Sequence, residues 1–325
     1  MFELIKKVPI PTAGVALGMA ALGNLLAPYV PVAHGLCGVL SLGLMSLLVA
    51  KIVLFPAMIR EDFKNSILAS VFGTFFMTFM QLAGYLAPYA FEPAFALWVA
   101  AVTGHFALMA WFTMRFIRRF KLAEVFPTYF ICYVGIIVAS VTSPSFGMEA
   151  LGVAVFWFGF ACYLVLLAVV TVRYLKHEVP EPARPLFCIY AAPMSLSLVG
   201  YLSVTEEPNV LFVGGLLVLA QMLLAVVLFR LPKFLALKFY PSFAAMTFPF
   251  VISAMGLGKA CDVLAASGIG IAASPLAQAL VVAELLFAMG MVLFVLGHYA
   301  KFFYGAFKEA RQTVEAPVFS PELAE

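Results

Sequence analysis

Charged side chains are scarce in this chain of 325 residues, since only 11% of them are Asp, Glu, Lys or Arg. Soluble globular domains carry about 25% charged residues, whereas 65% of this chain is hydrophobic. Long uncharged runs recur from one end to the other, and no stretch has the composition of a soluble domain. The composition therefore excludes a water-soluble globular protein and predicts a helical protein that crosses the lipid bilayer several times.

Clusters of metal-binding or catalytic side chains are also missing. The five cysteines include no Cys-x-x-Cys pair, and the four histidines are scattered along the chain. Structural zinc sites and nucleophilic active sites need such groups at short, defined spacings. We therefore expect no metal, no cofactor and no enzymatic activity. The basic loops call for no nucleic-acid partner, because membrane topology accounts for them.

The apolar runs predict ten transmembrane helices, since about 20 apolar residues cross the roughly 30 Å hydrocarbon core of a bilayer. They form one transmembrane domain, residues 1–300, and residues 301–325 form a polar cytoplasmic tail with a short helical start and a disordered end. The predicted spans are residues 9–27, 33–55, 66–86, 94–115, 127–142, 149–172, 185–203, 210–230, 240–259 and 275–300.

The basic residues fall on one side of this predicted topology. Every Lys and Arg except Lys259 lies on that side, which the positive-inside rule makes cytoplasmic together with both termini. Lys51, near the end of the second span, is expected to extend its ammonium group to the cytoplasmic interface. Lys259, at the opposite mouth, has two open interpretations: a cation that attracts anions, or a solvated lysine at a helix end.

Prolines and small residues recur with a fivefold period. Helical hairpins begin near Pro9, Asn65, Pro127, Pro185 and Pro241, and only the second lacks a proline at its start. The odd-numbered spans concentrate Pro and Gly, whereas the even-numbered spans are bulkier. This pattern predicts five helical hairpins around a central pore with pseudo-fivefold symmetry, lined by the odd spans. Close helix packing alone also explains small residues at this spacing.

The ninth span has the most unusual centre, Phe248-Pro249-Phe250, and no charge between Tyr240 and Gly258. Pro249 has no N–H and clashes with the carbonyl four residues earlier, so a kink is predicted there. A phenylalanine at a kink among small residues is suited to cross a narrow passage. Ordinary packing of a core phenylalanine is the alternative.

Ionisable groups are missing from the interiors of the odd spans, which argues against a buried proton relay and favours a conduit that binds its substrate weakly. Glu284, in the tenth span, is either a structural hydrogen-bond partner or a coupling group. The candidate pore-lining residues are Thr12, Gly14, Gly18, Gly73, Gly135, Pro193, Ser197, Thr247, Pro249 and Ser253.

Four short motifs together resemble the tellurite-resistance/dicarboxylate transporter family, which holds the bacterial TehA proteins, plant slow-type anion channels, and yeast malate and sulfite transporters. The resemblance covers nearly the whole chain. It implies a homotrimer in the bacterial inner membrane, with a pore in each protomer closed by a phenylalanine, which would be Phe248 here, with Phe250 as the second choice. The motifs are PIPTAGVALGMAAL at 9–22, FPTYF at 126–130, APMSLSLVGYLS at 192–203 and TFPF at 247–250.

Two functions are expected from these observations. The first is an anion channel or uniporter that passes small anions such as chloride and nitrate. The alternative is a secondary carrier for C4-dicarboxylates such as malate, for sulfite or for tellurite-type oxyanions, and Glu284 is its one candidate coupling group. Tellurite resistance would then be a family label only, because no thiol pair indicates tellurium reduction.

Overall fold

The computed structural model describes residues 2–315, which form helices and connecting loops without a strand. The predicted all-α class is confirmed for this part of the chain. Eight of its helices are long and apolar enough to cross a membrane. They are Pro31–Leu54, Ser66–Leu86, Phe91–Ile117, Glu149–Lys176, Glu181–Val204, Val210–Leu235, Pro241–Ala266 and Pro275–Glu309.

Two further apolar helices are shorter. Thr12–Leu26 lies within the first predicted span, and Ile137–Phe146 begins within the fifth and extends four residues beyond it. The count of ten spans and the pseudo-fivefold symmetry therefore stay predictions. The last helix continues to Glu315, and the predicted disordered end, residues 316–325, lies outside the described residues. One short helix, Phe2–Lys6, precedes the apolar helices, and others occupy some of the connections: Pro56–Asp62, Leu122–Glu124 and Gly270–Ala273.

Five segments are more deeply buried than the helices that follow them, and we call them the first to the fifth inner segment. The second, fourth and fifth are 67%, 83% and 67% buried over their most apolar stretch, whereas the other long helices, the outer helices, are 22% to 39% buried. The inner segments are Thr12–Leu26, Ser66–Leu86, Thr128–Tyr133 with Ile137–Phe146, Glu181–Val204, and Pro241–Ala266.

The inner segments contact one another in a closed ring. Each packs against the next one along the chain, and the fifth packs against the first. The outer helices cover this ring and expose large apolar side chains, such as Val39, Leu211 and Phe229. A soluble protein rarely exposes so much contiguous apolar surface, so these faces are suited to the hydrocarbon of a bilayer.

Four inner segments change their helical geometry near the end where they begin. This end carries the Lys- and Arg-rich loops, and we call it the basic end. The fifth begins as the 3-10 helix Pro241–Met246 and continues as the α-helix Phe248–Ala266. Pro249 lies in the first turn of that α-helix. N–H groups in a first turn have no carbonyl partner within the helix, so proline costs no hydrogen bond there. The change of helix type therefore lies at Thr247, two residues before Pro249, where the sequence predicted a kink.

The second inner segment is interrupted at Phe72 without a proline. The N–H of Phe75 donates to the carbonyl of Phe72 at 2.9 Å, which leaves the Val71 carbonyl outside the regular helical pattern. The hydroxyl of Thr74 donates to that carbonyl at 2.7 Å. Because a buried carbonyl must have a donor, this hydroxyl stabilises the interruption.

Lys51 is buried, and the expectation that it extends to the interface is wrong. Its side chain is 6% exposed, its Nζ donates to the carbonyl of Val8 at 2.8 Å, and it lies 3.5 Å from a carboxylate oxygen of Asp62. The chain just before the first inner segment lies over this lysine. The ammonium group thereby connects three separate stretches of the chain at the basic end.

Replacing Lys51 with methionine is expected to destabilise the protein. The change removes the donor to Val8 and the cation beside Asp62, and a buried group left without its partner costs about 1–3 kcal/mol. The melting temperature of the detergent-solubilised protein measures the loss. The matched control is Lys64→Met, because Lys64 and Glu61 form a pair that is 65% and 71% exposed and exposed pairs contribute about 0–1 kcal/mol. Equal melting temperatures for the two variants would contradict the role given to Lys51.

Candidate functional site

A cavity of about 400 Å³ lies inside the ring of inner segments, at the basic end. Residues from all five inner segments, or directly before them, border it. Many of these residues lie near the start of their segments, so the mouth of the cavity lies where the five segments begin. Examples in chain order are Pro11, Asn65, Phe130, Pro182 and Pro241.

The wall of this cavity is uncharged. None of the described residues that line it is Asp, Glu, Lys, Arg or His, and the polar side chains among them are Asn65, Thr74, Tyr240 and Ser242. All four already have partners: the Asn65 side chain accepts the N–H of Ile67, and the three hydroxyls donate to carbonyl or carboxylate oxygens. The cavity thus offers few free donors, so it would hold a small anion weakly.

The mouth of the cavity is fixed by hydrogen bonds between the fourth and fifth inner segments. The Tyr240 hydroxyl donates to a carboxylate oxygen of Glu181 at 2.7 Å. The Ser242 hydroxyl donates to the carbonyl of Pro182 at 2.6 Å. These contacts hold the two 3-10 helices together where a solute would enter.

Towards its inner end, the cavity is bordered by one bulky apolar side chain from each inner segment. Counted from the basic end, each of these residues is the last one of its segment that lines the cavity, or lies next to that last residue. Residues 18–26 of the first inner segment, about 14 Å of helix, continue beyond this level, so the cavity stops about halfway along the segment. We call the set the constriction ring: Leu17, Met77, Val134, Leu196 and Phe248.

Phe248 and Phe250 face different sides of their helix, as their spacing predicts. Phe248 borders the cavity and is 6% exposed. The Phe250 ring is 1% exposed, does not border the cavity, and packs edge-on against Phe287 of an outer helix with ring centroids 5.0 Å apart. Of the two, only Phe248 has the position that a gate at the end of the cavity requires.

A close contact between the first and fifth inner segments fixes the backbone next to Phe248. The Thr247 hydroxyl donates to the carbonyls of Gly14, at 3.1 Å, and Ala244, at 2.7 Å. A Cβ atom on Gly18 would lie 2.5 Å from the Cβ of Thr247 and 3.0 Å from the backbone nitrogen of Phe248. Only glycine at position 18 permits this approach.

The predicted site residues divide into two groups. Six do not border this cavity: Thr12, Gly18, Gly73, Ser197, Thr247 and Ser253; their pore-lining role stays a prediction. Five residues do border it: Gly14, Gly135, Pro193, Phe248 and Pro249.

Other contacts explain several members of the first group. A Cβ on Gly73 would meet Ile131 at 3.1 Å, so this glycine serves helix packing. The Ser197 hydroxyl donates to the carbonyl of Pro193 at 2.7 Å. Thr12 is buried, and its hydroxyl has no partner among the described residues.

Glu284 and Lys259 both lie away from this cavity. Glu284 is half-buried and accepts a hydrogen bond from the Ser253 hydroxyl at 3.1 Å, which joins the fifth inner segment to the last outer helix. Lys259 is exposed and makes no ion pair with Asp262 in the described part of the chain. The hydrogen bond from Ser253 therefore supports a structural role for Glu284. The anion-attracting role of Lys259 stays a prediction.

Four members of the constriction ring were missed by sequence reasoning, although a signal for them exists. Each bulky residue follows another lining residue by three positions, which places both on one face of a helix. The pairs are Gly14 with Leu17, Thr74 with Met77, Ile131 with Val134, Pro193 with Leu196, and Ala245 with Phe248.

Comparison with known protein families gives one match that covers most of the chain. Residues 7–296 match the family model described as SLAC1, voltage-dependent anion channel. The matched range includes all five inner segments and every member of the constriction ring. A search of curated proteins finds no match to the chain.

Proposed function

The chain belongs to the SLAC1 family of voltage-dependent anion channels, and on this premise we propose that it is an anion channel or uniporter with a pore in each protomer, closed by Phe248. Membership makes it a multi-pass membrane protein of an anion-transporting family. The observation that supports the finer proposal is the uncharged cavity between the five inner segments, which ends at Phe248.

An apolar constriction closes such a pore by excluding water. An anion gives up its hydration energy when it enters a narrow segment without polar groups, and channels use hydrophobic constrictions as gates for this reason. The five side chains of the constriction ring have this character. Rotation of the Phe248 ring towards the cavity would widen the passage, because the cavity provides space beside it.

The charge distribution favours anions over cations. The loops at the basic end carry nearly all the Lys and Arg, and a field of one sign raises the local concentration of the opposite ion at a mouth. The described cavity wall contains no carboxylate. Small monovalent anions such as chloride and nitrate suit a wall that provides so few donors to replace a hydration shell.

The alternative is a carrier that transports malate, sulfite or a tellurite-type oxyanion together with protons. It rests on Glu284 as the coupling group. Its carboxylate is bound to Ser253 rather than placed in the cavity. This position favours the channel proposal, because a coupling group must meet the transported ion or control the path that the ion takes.

Replacing Glu284 with glutamine is therefore expected to leave chloride and nitrate uptake into proteoliposomes unchanged, with no pH gradient applied. Glutamine keeps the size of the side chain and an acceptor for Ser253, so the contact survives. Ser253→Ala is the companion variant, since it removes the same contact from the other side. If wild-type uptake requires a pH gradient, and Glu284→Gln abolishes that uptake for malate, the carrier is the correct function.

We further propose a homotrimer in the bacterial inner membrane with both termini in the cytoplasm. The support is the family resemblance for the trimer and the charge asymmetry of the loops for the orientation. The outer helices expose enough apolar surface to face both lipid and neighbouring protomers. Tellurite resistance remains a family label in this proposal.

A further inference from the structure

A second cavity, of about 490 Å³, lies at the basic end and is built partly from the outer helices. Its wall combines the end of Glu149–Lys176, the loop that follows, the start of the fourth inner segment, and the end of Val210–Leu235. We call it the basic cavity, and the side chains that matter for its chemistry are Tyr174, Glu178, Arg184, Phe187, Arg230 and Lys233.

Positive charge dominates the basic cavity. Arg184, Arg230 and Lys233 line it, and Glu178 is the one carboxylate among its described lining residues. In the described part of the chain, none of the three cations lies within ion-pair distance of a carboxylate. Three cations beside one carboxylate leave a net positive charge, and a bound anion would relieve the repulsion among the cations.

The polar groups in the wall are of the kinds that bind an oxyanion. Arg184 and Arg230 approach from two different elements, and guanidinium groups bind phosphate through paired N–H donors. The Arg230 guanidinium lies over the ring of Phe187, 5.0 Å from its centroid, which restrains it at the cavity wall. The Tyr174 hydroxyl is buried without a hydrogen-bond partner among the described residues. The volume is also in the range of small-ligand sites, about 300–1,000 Å³.

The surroundings of the basic cavity indicate which kind of phosphate-bearing molecule would fit it. Leu175, beside Tyr174, is 81% exposed, and Phe229, beside Arg230, is 82% exposed. Both lie on outer helices long and apolar enough to cross the membrane. Apolar side chains exposed next to a basic pocket between membrane helices match the two parts of a phospholipid, its acyl chains and its headgroup.

We propose that the basic cavity binds a phosphate-bearing anion, and that this anion is the headgroup of an anionic phospholipid of the adjacent leaflet. The site does not depend on Phe248 or on the transported ion. It shares a wall with the central cavity, however, because Arg184 and Phe187 face the headgroup while Ala183 and Leu186 border the central cavity. A bound headgroup would hold the start of the fourth inner segment in place.

The test compares purified full-length protein in detergent with added phosphatidylglycerol, phosphatidylcholine or inorganic phosphate, with the melting temperature as readout. Phosphatidylglycerol is expected to raise the melting temperature of the wild type more than the other two. The double variant Arg184→Gln, Arg230→Gln is expected to need about tenfold more phosphatidylglycerol for half of that shift, since charge-assisted hydrogen bonds are lost.

The matched control is Arg118→Gln, Arg119→Gln, which removes two exposed cations from the same end of the molecule but away from the cavity. Equal loss in the two double variants would show a general charge effect and overturn the site. A shift by inorganic phosphate as large as that by phosphatidylglycerol would overturn the lipid source and support a soluble phosphate ligand. If the first double variant does not fold, Lys233→Gln replaces it, because Lys233 is exposed and lines the same cavity. Since the readout is binding, its failure would leave the anion-channel proposal untouched.

Discussion

Replacing Phe248 with alanine is expected to turn a closed protein into one that conducts anions. Truncation removes the largest side chain of the constriction ring, which is expected to open the inner end of the cavity. Burial of a phenylalanine side chain contributes about 1.5–3 kcal/mol. If the closed state loses that contribution, the open fraction rises about ten- to hundredfold, because each 1.4 kcal/mol is a factor of ten.

The measurement is the current through purified protein in a voltage-clamped bilayer, in chloride and in nitrate, with the wild type beside the variant. Phe250→Ala is the matched control, since it removes the same ring two positions along the helix, where the ring packs on Phe287 outside the cavity. We expect a large anion-selective current from Phe248→Ala alone. Folded Phe248→Ala protein without current would refute the proposed gate, and equal currents from both variants would show that loosened packing, rather than the gate, opens the pore.

Replacing Gly18 with valine is expected to have the largest effect on stability. Its Cβ would lie 2.5 Å from the Cβ of Thr247, a distance that real Cβ atoms essentially never show, and two further methyl groups would follow. Overpacking of this kind costs about 1–3 kcal/mol, and sometimes more. The first and fifth inner segments must separate to accept the valine, which also displaces Phe248.

Two readouts test this variant: the melting temperature in detergent and the bilayer current of the protein that still folds. Gly43→Val is the control, because a Cβ at Gly43 has no heavy atom within 4 Å. We expect a lower melting temperature together with a leak current for Gly18→Val, and neither for Gly43→Val. An unchanged melting temperature for Gly18→Val would mean that the two inner segments are not in the contact described.

The sequence made the architecture predictable because the relevant physics is local. Charge-free runs of about 20 residues identify membrane helices without knowledge of their partners. The concentration of Pro and Gly in alternate segments separated the inner segments from the bulkier outer helices. Pro249 drew attention to the stretch Phe248-Pro249-Phe250, and the choice of Phe248 over Phe250 came from the family resemblance.

Features that depend on contacts between distant residues could not be read in the same way. The interruption at Phe72 depends on the Thr74 hydroxyl and the Val71 carbonyl, and many threonines in helices do not act like this. Lys51 is buried because Val8 and Asp62 meet it, from positions 43 residues before it and 11 residues after it. The constriction ring had a readable three-residue spacing, but that spacing occurs on every face of a helix, and only the tertiary structure selects one face.

The 3-10 helix that opens the fifth inner segment is longer than an α-helix of the same residues would be. Pro241–Met246 contains six residues, which span about 12 Å at the 3-10 rise of 2.0 Å per residue and about 9 Å at the α-helical rise of 1.5 Å. A change of this stretch to α-helix would shorten it by about 3 Å, roughly the diameter of a water molecule. The Thr247 hydroxyl, which donates to the carbonyls of Gly14 and Ala244, holds Phe248 against such a shift.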